Sequence, residues 1–227
     1  MSYWGTSLCP TYLYLSFILP HIRSNNRIGP HNLDVLSIIF GSMLGDSTAE
    51  KHGKGTRFIL QQESNNVEYL MWFHKHLANR GYCSITKPKL LIRTAKGGKI
   101  RFYYKIRTWT FSSFNWIFDI FYTTNNIKIV PYNINEFLTP LALAVWIMDD
   151  GTALPSGLKI ATNSFTLEEV KLLCKILFDK YNIVANPNKD GDQWVIYIRA
   201  KSMPSLAKLI KPYIVSSMYY KLGKYNI

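Results

Sequence analysis

The chain is poor in acid. Only 14 aspartates and glutamates stand against 27 lysines and arginines, a formal charge of +13 over 227 residues. Such an imbalance points to a polyanionic partner, nucleic acid first. Cysteine is scarce too. Cys9, Cys83 and Cys174 are far apart, odd in number and free of CxxC or Cys/His spacing, which excludes a disulfide framework and a structural zinc site and suits a reducing compartment. Long apolar runs are also missing. The stretch from Leu8 to Pro20 is interrupted by Pro10 and Thr11 and is too short to span a bilayer, so no membrane helix is expected. It lacks the basic start and small-residue cleavage site of a secretory signal, and the Pro, Asn, Arg and Gly of residues 20–32 read as a connector. Residues 1–32 are therefore taken as an N-terminal extension.

What is present is a globular composition, 48% hydrophobic and 15% aromatic, enough for one sizeable core or two small ones sharing an interface. The positive charge is concentrated rather than spread. Gly81 to Arg107 carries eight lysines and arginines and no acid.

From Leu33 the apolar residues Leu33, Leu36, Ile39, Phe40 and Met43 recur at helical spacing, and the pattern stops near Gly45-Asp46. A second apolar helix is expected from Pro140, with Thr139 as N-cap, and it stops at Asp149-Asp150-Gly151. Each is followed by a glycine-containing turn and a strand-like run, Thr56 to Glu63 and Leu158 to Asn163. Asn65 with Glu68, and Thr166 with Glu169, then have capping-box spacing ahead of amphipathic helices. Strand-rich stretches follow, Tyr82 to Thr110 with a Gly97-Gly98 turn and Ile183 to Arg199 with an Asp190-Gly191 turn, each leading to a further helix. The order repeats, so an α+β fold duplicated as residues 33–131 and 132–227 is expected.

An aspartate at a helix C-terminus sits at the negative pole of the helix dipole, where a carboxylate is disfavoured and a cation is welcome. If the two helices pack side by side, Asp46 and Asp150 meet beside carbonyls freed by helix termination, a hard, oxygen-rich cation site. Gly41 and Gly45, four apart on one face, and Ala144 opposite would permit close approach. Paired carboxylates with metal suit phosphodiester hydrolysis. The alternative is that both aspartates merely cap turns. Asp149 is assigned a solvated or capping role.

Ile39-Phe-Gly-Ser-Met-Leu-Gly-Asp-Ser47 and Leu143-Ala-Val-Trp-Ile-Met-Asp-Asp-Gly151 resemble the two nine-residue motifs of monomeric LAGLIDADG homing endonucleases. The resemblance extends over residues 33–227 and includes Phe137-Leu-Thr-Pro-Leu, Ser164-Phe-Thr-Leu-Glu-Glu-Val170 and Leu209-Ile-Lys-Pro-Tyr213. Phe40 and Val145 stand where the family prefers small residues, and Ser47 replaces the closing glycine. The resemblance implies a pseudo-twofold saddle of two αββαββα halves, with two antiparallel sheets flanking the motif helices and straddling the DNA major groove. It further implies a monomer that uses Mg²⁺, with Mn²⁺ able to substitute. The expected activity is intron homing: both strands of a long, pseudo-asymmetric target are cut, staggered across the minor groove to leave 3′ overhangs. Lys128, after the first half's last helix, and Lys221, near the C-terminus, match the positions of the family's site lysines, which would offset charge on the attacked phosphate.

Gln61, Glu63 and Asn163, on the strands leading from each aspartate, are candidates to hold metal-bound water. For duplex recognition, a ribbon must alternate side chains long enough to reach base edges or phosphates. Lys87, Lys89, Arg93, Lys99, Arg101, Tyr103, Lys105 and Arg107 repeatedly differ by two, and Asn186, Asn188, Gln193 and Arg199 are their analogues; Lys51, Lys54, Arg57 and Lys159 would extend the footprint. His52, His74 and His76 invite a metal reading, but His74 and His76 are two apart on a helix and do not face together, so surface or groove-edge roles are expected.

Three other functions share these features. The family's fold also serves as an intron-RNA maturase, which needs the same basic surface. A non-catalytic DNA-binding protein needs no carboxylate pair, and a two-carboxylate glycosidase has no use for the charge. The many Ile, Asn, Tyr and Lys residues, with the resemblance, suggest an organellar, mitochondrial intron reading frame.

Overall fold

The structure is a computed structural model that describes residues 22–226. Cys9 and the apolar stretch Leu8 to Pro20 lie outside the described residues. Helix α1 (Leu33–Leu44) is followed by strands β1 (Thr48–His52) and β2 (Gly55–Glu63), α2 (Val67–Ala78), β3 (Leu91–Thr94), β4 (Ile100–Arg107) and α3 (Asn115–Phe121). A short linking helix, α4 (Ile134–Phe137), precedes the second series: α5 (Pro140–Asp150), β5 (Gly151–Leu154), β6 (Gly157–Ala161), α6 (Leu167–Tyr181), β7 (Ala185–Asp190), β8 (Gln193–Arg199) and α7 (Met203–Ile210). Each half is αββαββα. Their antiparallel sheets have matching orders, β1-β2-β4-β3 and β5-β6-β8-β7. What read in sequence as a turn after each motif helix contains a further strand, β1 or β5.

The central helices α1 and α5 are apolar on nearly every side because both lie inside the molecule. Val35, Ile38, Phe40 and Met43 in α1, and Leu143, Val145, Trp146 and Ile147 in α5, are fully buried. They run side by side in the same direction: Thr139 Oγ1 donates to Ser37 Oγ at 2.8 Å near their starts, and Gly45 meets Asp149 near their ends. Midway, a Cβ on Gly41 would fall 2.3 Å from the Ala142 carbonyl oxygen, so the backbones touch. The close partner of Gly41 is thus Ala142 rather than Ala144. Phe40 does not obstruct the contact, since its ring stacks on Phe137 at 4.0 Å, away from α5. One continuous apolar cluster spans both halves.

Local signals behave as expected in the second half. Thr139 accepts from Ala142 N with Pro140 in the first turn, and Thr166 with Glu169 forms a reciprocal capping box. The first half departs from this. Instead of an Asn65–Glu68 box, a 3₁₀ turn over Ser64–Asn66 leads into α2, and the Asn66 amide reaches back to Gln62 Oε1 at 3.1 Å. The end of the N-terminal extension packs against the first half. Arg27 buries its guanidinium and donates to Thr110 O at 3.2 Å, and His31 lies between Tyr82 Oη (3.0 Å) and Ser113 Oγ (2.8 Å), its ring 4.3 Å from Phe114. Burial pushes the His31 imidazole down to about 4.

Candidate active site

Asp46 stands just beyond the end of α1, and Asp150 is the last residue of α5. Because the helices touch along Gly41, Ala142, Gly45 and Asp149, their C-terminal ends are delivered together. Asp46 is open to solvent and Asp150 is partly buried. Burial, and then the charge of Asp46, push the Asp150 carboxyl up to about 7, with Lys128 and Lys221 pulling the other way.

The two lysines occupy corresponding places. Lys128 Nζ donates to the carbonyls of Gly45 and Ser47, both at 2.9 Å, and Lys221 Nζ donates to the carbonyl of Asp149 at 3.2 Å. Gly45 and Asp149 each immediately precede a site aspartate, so each lysine neutralises the negative end of one motif helix. Burial lowers Lys128 to about 8 and lowers Lys221 as well, while Asp46, Asp149 and Asp150 oppose that shift in both.

Asp149 departs from expectation. It is not a solvated neighbour of Asp150 but faces the seam between the halves, where Oδ1 accepts from Tyr69 Oη at 2.9 Å and from Gln62 Nε2 at 3.3 Å. Its Oδ2 accepts from the Asp46 amide nitrogen at 3.4 Å, across the two halves. Burial, then Asp46 and Asp150, raise its carboxyl well above the ordinary range, and burial raises the Tyr69 phenol.

The side chain that reaches Asp46 is Gln62, whose Nε2 donates to Oδ2 at 2.8 Å, not Gln61 or Glu63. Strand alternation decides this: Phe58, Leu60 and Gln62 are buried on the helix side of β2, so Gln61 and Glu63 point to the opposite face. Glu63 is instead paired with Arg101, and lies 3.6 Å from Arg93, which hold its carboxyl below the usual range. A buried polar residue closing an apolar alternation was the signal available in the sequence. The second half has no copy of Gln62. Residues 46 and 150 are 104 apart but the starts of α2 and α6 only 100, because the stretch from aspartate to the next helix, which holds the hairpin, is four residues shorter in the second half, and this aligns Gln62 with Thr162. Thr162 is buried and donates to Trp194 O at 2.7 Å, and Asn163 is exposed.

No group of three or more His, Cys, Asp or Glu side chains converges in metal-binding fashion among the described residues. His74 is not at the surface or groove edge as expected but buried, its Nε2 2.8 Å from the Ser84 carbonyl, because it lies on the core side of α2, and His76 pairs with Asp34. The available donor set is Asp46 and Asp150, all oxygen. Two carboxylates close enough for Asp46 to add to the effect of burial on Asp150 fit a hard divalent cation that keeps water or phosphate oxygens in its remaining positions.

Residues 36–206 match the model of the LAGLIDADG DNA endonuclease family. The chain belongs to this family. It is 51% identical over 211 residues to a cytochrome b mRNA maturase bI2 of Saccharomyces cerevisiae, covering 88% of this chain and 50% of that protein, so it spans half the length of that relative. A cytochrome b mRNA maturase bI2 of Debaryomyces hansenii is 50% identical over 94% of this chain and 87% of its own length, and the DNA endonuclease I-ChuI of Chlamydomonas applanata is 31% identical over 83% and 94%. Among solved structures, the homing endonuclease I-WcaI bound to its DNA recognition sequence aligns with a TM-score of 0.78 at 22% identity, covering 89% of this chain and 93% of that one, which establishes the shared fold.

In this LAGLIDADG chain each sheet turns one face away from its helices. Cross-strand pairing puts Arg57, Arg93, Arg101, Tyr103, Lys105 and Arg107 on that face of the first sheet. Lys159, Asn186, Asn188, Gln193 and Arg199 share the equivalent face of the second, joined by Thr152 and Tyr197, which sequence reasoning missed. Lys159 is paired with Asp190 at 3.0 Å. Lys54 is on the β1–β2 turn, Lys99 at the ribbon tip, and Lys87 and Lys89 on the irregular segment before β3, all exposed. Lys51 does not join them. It extends to the helix side of the sheet, 2.8 Å from Asp119 Oδ1 and over the Phe118 ring, because it shares the parity of core-facing Ala49.

Proposed function

We propose that the chain is a site-specific endonuclease that hydrolyses both strands of a double-stranded DNA target, with Mg²⁺ or Mn²⁺ held by Asp46 and Asp150. The observation that carries this reading is the junction of α1 and α5, where two helix-terminal carboxylates come together with Lys128 and Lys221 on equivalent carbonyls. Bound there, the ion supplies Lewis-acid polarisation of the phosphate and a water of lowered pKa. Gln62 orients Asp46 and ties it to Asp149. The lysines set positive charge beside the attacked phosphates, where low local dielectric strengthens it. The faces of the two sheets turned away from the helices form the duplex seat, with Arg93, Arg101 and Arg107 suited to guanine edges and the lysines to phosphate. The host setting is an organellar intron reading frame, and the cut is staggered with 3′ overhangs.

The experiment is cleavage of a DNA library spanning candidate intron-insertion sequences, with Mg²⁺ and with EDTA, by wild type, Asp46→Asn and Asp150→Asn. A metal-dependent double-strand cut at one site, lost in both variants while DNA binding persists, is the expected outcome. Salt-sensitive binding without cleavage would sink the nuclease reading.

A second reading, assistance to intron RNA, is favoured by one observation: the relatives at 50% and 51% identity carry the name mRNA maturase. It places RNA on this chain in addition to DNA.

A further inference from the structure

The last 28 residues, Ala200 to Ile227, contain five lysines and no acidic residue. The segment does not belong to the duplex-facing strands. Helix α7 buries Met203, Leu206, Ala207 and Ile210 against the core and turns Pro204 and Lys208 outward. A 3₁₀ segment, Ser216–Tyr225, then passes beside it, burying Met218 and Leu222. Between them lies a cleft of about 550 Å³ lined by Pro204, Lys208, Lys211, Pro212, Tyr219 and Tyr225. Lys224 approaches the Tyr225 ring, with Nζ 5.4 Å from its centroid.

We propose that this cleft is a binding site for single-stranded RNA, separate from the duplex seat; the inference rests on the RNA reading above and not on the nuclease reading. Its chemistry is that of a stacking platform beside a cationic rim. Two tyrosines and two prolines offer flat apolar faces to unstacked bases, and Lys208, Lys211 and Lys224 face the backbone. Its size selects among nucleic acids. A cleft of small-ligand volume admits a splayed nucleotide but not a duplex, whose bases are already stacked. The same 3₁₀ segment carries Lys221 to the Asp149 carbonyl and Tyr219 and Tyr225 to the cleft, so one strip of chain serves both sites.

The test uses the full chain as Asp46→Asn, so that nucleic acid is not cut, and two labelled probes of equal length, oligouridylate and oligothymidylate. Photocrosslinking with 4-thiouridine in the RNA is expected to mark peptides containing Tyr219 or Tyr225. In titrations, Tyr225→Ala and the milder Lys208→Glu are expected to weaken RNA binding about tenfold, a loss in the range of one base–aromatic stack. Duplex DNA binding is expected to be unchanged in Lys208→Glu and reduced in Arg101→Glu. Crosslinks confined to the β3–β4 and β7–β8 ribbons, equal binding of oligothymidylate, or parallel loss of RNA and duplex binding in Lys208→Glu would each overturn the proposal. None of these readouts depends on cleavage.

Discussion

The Asp149 carboxylate fills the space that a side chain on Gly45 would need, for an added Cβ would lie 2.6 Å from Asp149 Cβ and 2.7 Å from its Oδ2. The two residues hold equivalent places in the two motif helices, so one half supplies the void and the other the carboxylate. Gly45→Ala is therefore expected to push Asp149 off Gln62 and the Asp46 amide, lowering cleavage by about 10–100-fold as loss of a supporting shell does, with a modest fall in Tm. Gly41→Ala is a different case. Its Cβ would meet the Ala142 backbone at 2.3 Å, which cannot yield without parting the helices, and about 1–3 kcal/mol or more of stability is expected to be lost. Denaturant melts of both variants check this; a harmless Gly41→Ala would mean the helices are not in contact.

The carboxylate pair makes the metal-free protein sensitive to pH. Asp150 titrates near 7 in the folded chain against 3.8 ordinarily. Between those values the folded state holds a proton that the unfolded chain has released, so this group's contribution to stability falls as pH rises from about 4 to about 7. In EDTA, Asp150→Asn is expected to melt above wild type at about pH 7.5, with the gap closing towards about pH 5. Added Mg²⁺ is expected to raise the wild-type Tm by preferential binding to the folded state, and to do less for the variant. A lower Tm for Asp150→Asn at the higher pH would contradict the raised carboxyl.

Gln62 and its two neighbours separate the strand-parity argument from proximity in sequence. Gln62→Leu removes the donor to Asp46 and Asp149 and is expected to cut the rate about 10–100-fold. Gln61→Ala, on the opposite face of β2, is expected to leave the rate within a few-fold and to act on DNA affinity instead. Single-turnover rates and binding isotherms for the two variants make the comparison. A larger rate defect in Gln61→Ala would place Gln61, not Gln62, beside the reacting phosphate.

The duplicated alternation of helices and strands was legible because it rests on short-range patterns: apolar helices ending in aspartate, the Thr166–Glu169 box, and turn residues between strands; β1 and β5, hidden in the turns after the motif helices, came only with the αββαββα order that the family resemblance implies. The place of Asp46 and Asp150 at the ends of those helices was legible for the same reason. Asp149 was not, since its role depends on Tyr69 and Gln62, 80 and 87 residues away, and on Gly45 opposite leaving room for it. Gln61 and Glu63 were placed at the site by their strand leading from Asp46, although the alternation of Phe58, Leu60 and Gln62 assigns the helix side of β2 to the other parity. Lys51 was misplaced in the same way, as Ala49 marks its side of β1 as the core side.

Lys128 and Lys221 offer the sharpest test of two sites working within one chain. Lys128 bridges two carbonyls around Asp46, and Lys221 touches a single carbonyl beside Asp150. If each serves the phosphate of one strand, replacing one slows one cut and spares the other. Lys221→Met should then convert supercoiled target plasmid to nicked circle, with linear product delayed by about 10²–10³, the range for loss of one oriented positive group. Lys128→Met should leave the complementary strand uncut. It should also cost more stability, because two carbonyls lose their donor rather than one. Strand-specific end-labelling identifies which cut is lost. Equal slowing of both strands by either variant would show instead that the lysines act on a single shared centre, through which the two strands must pass in turn.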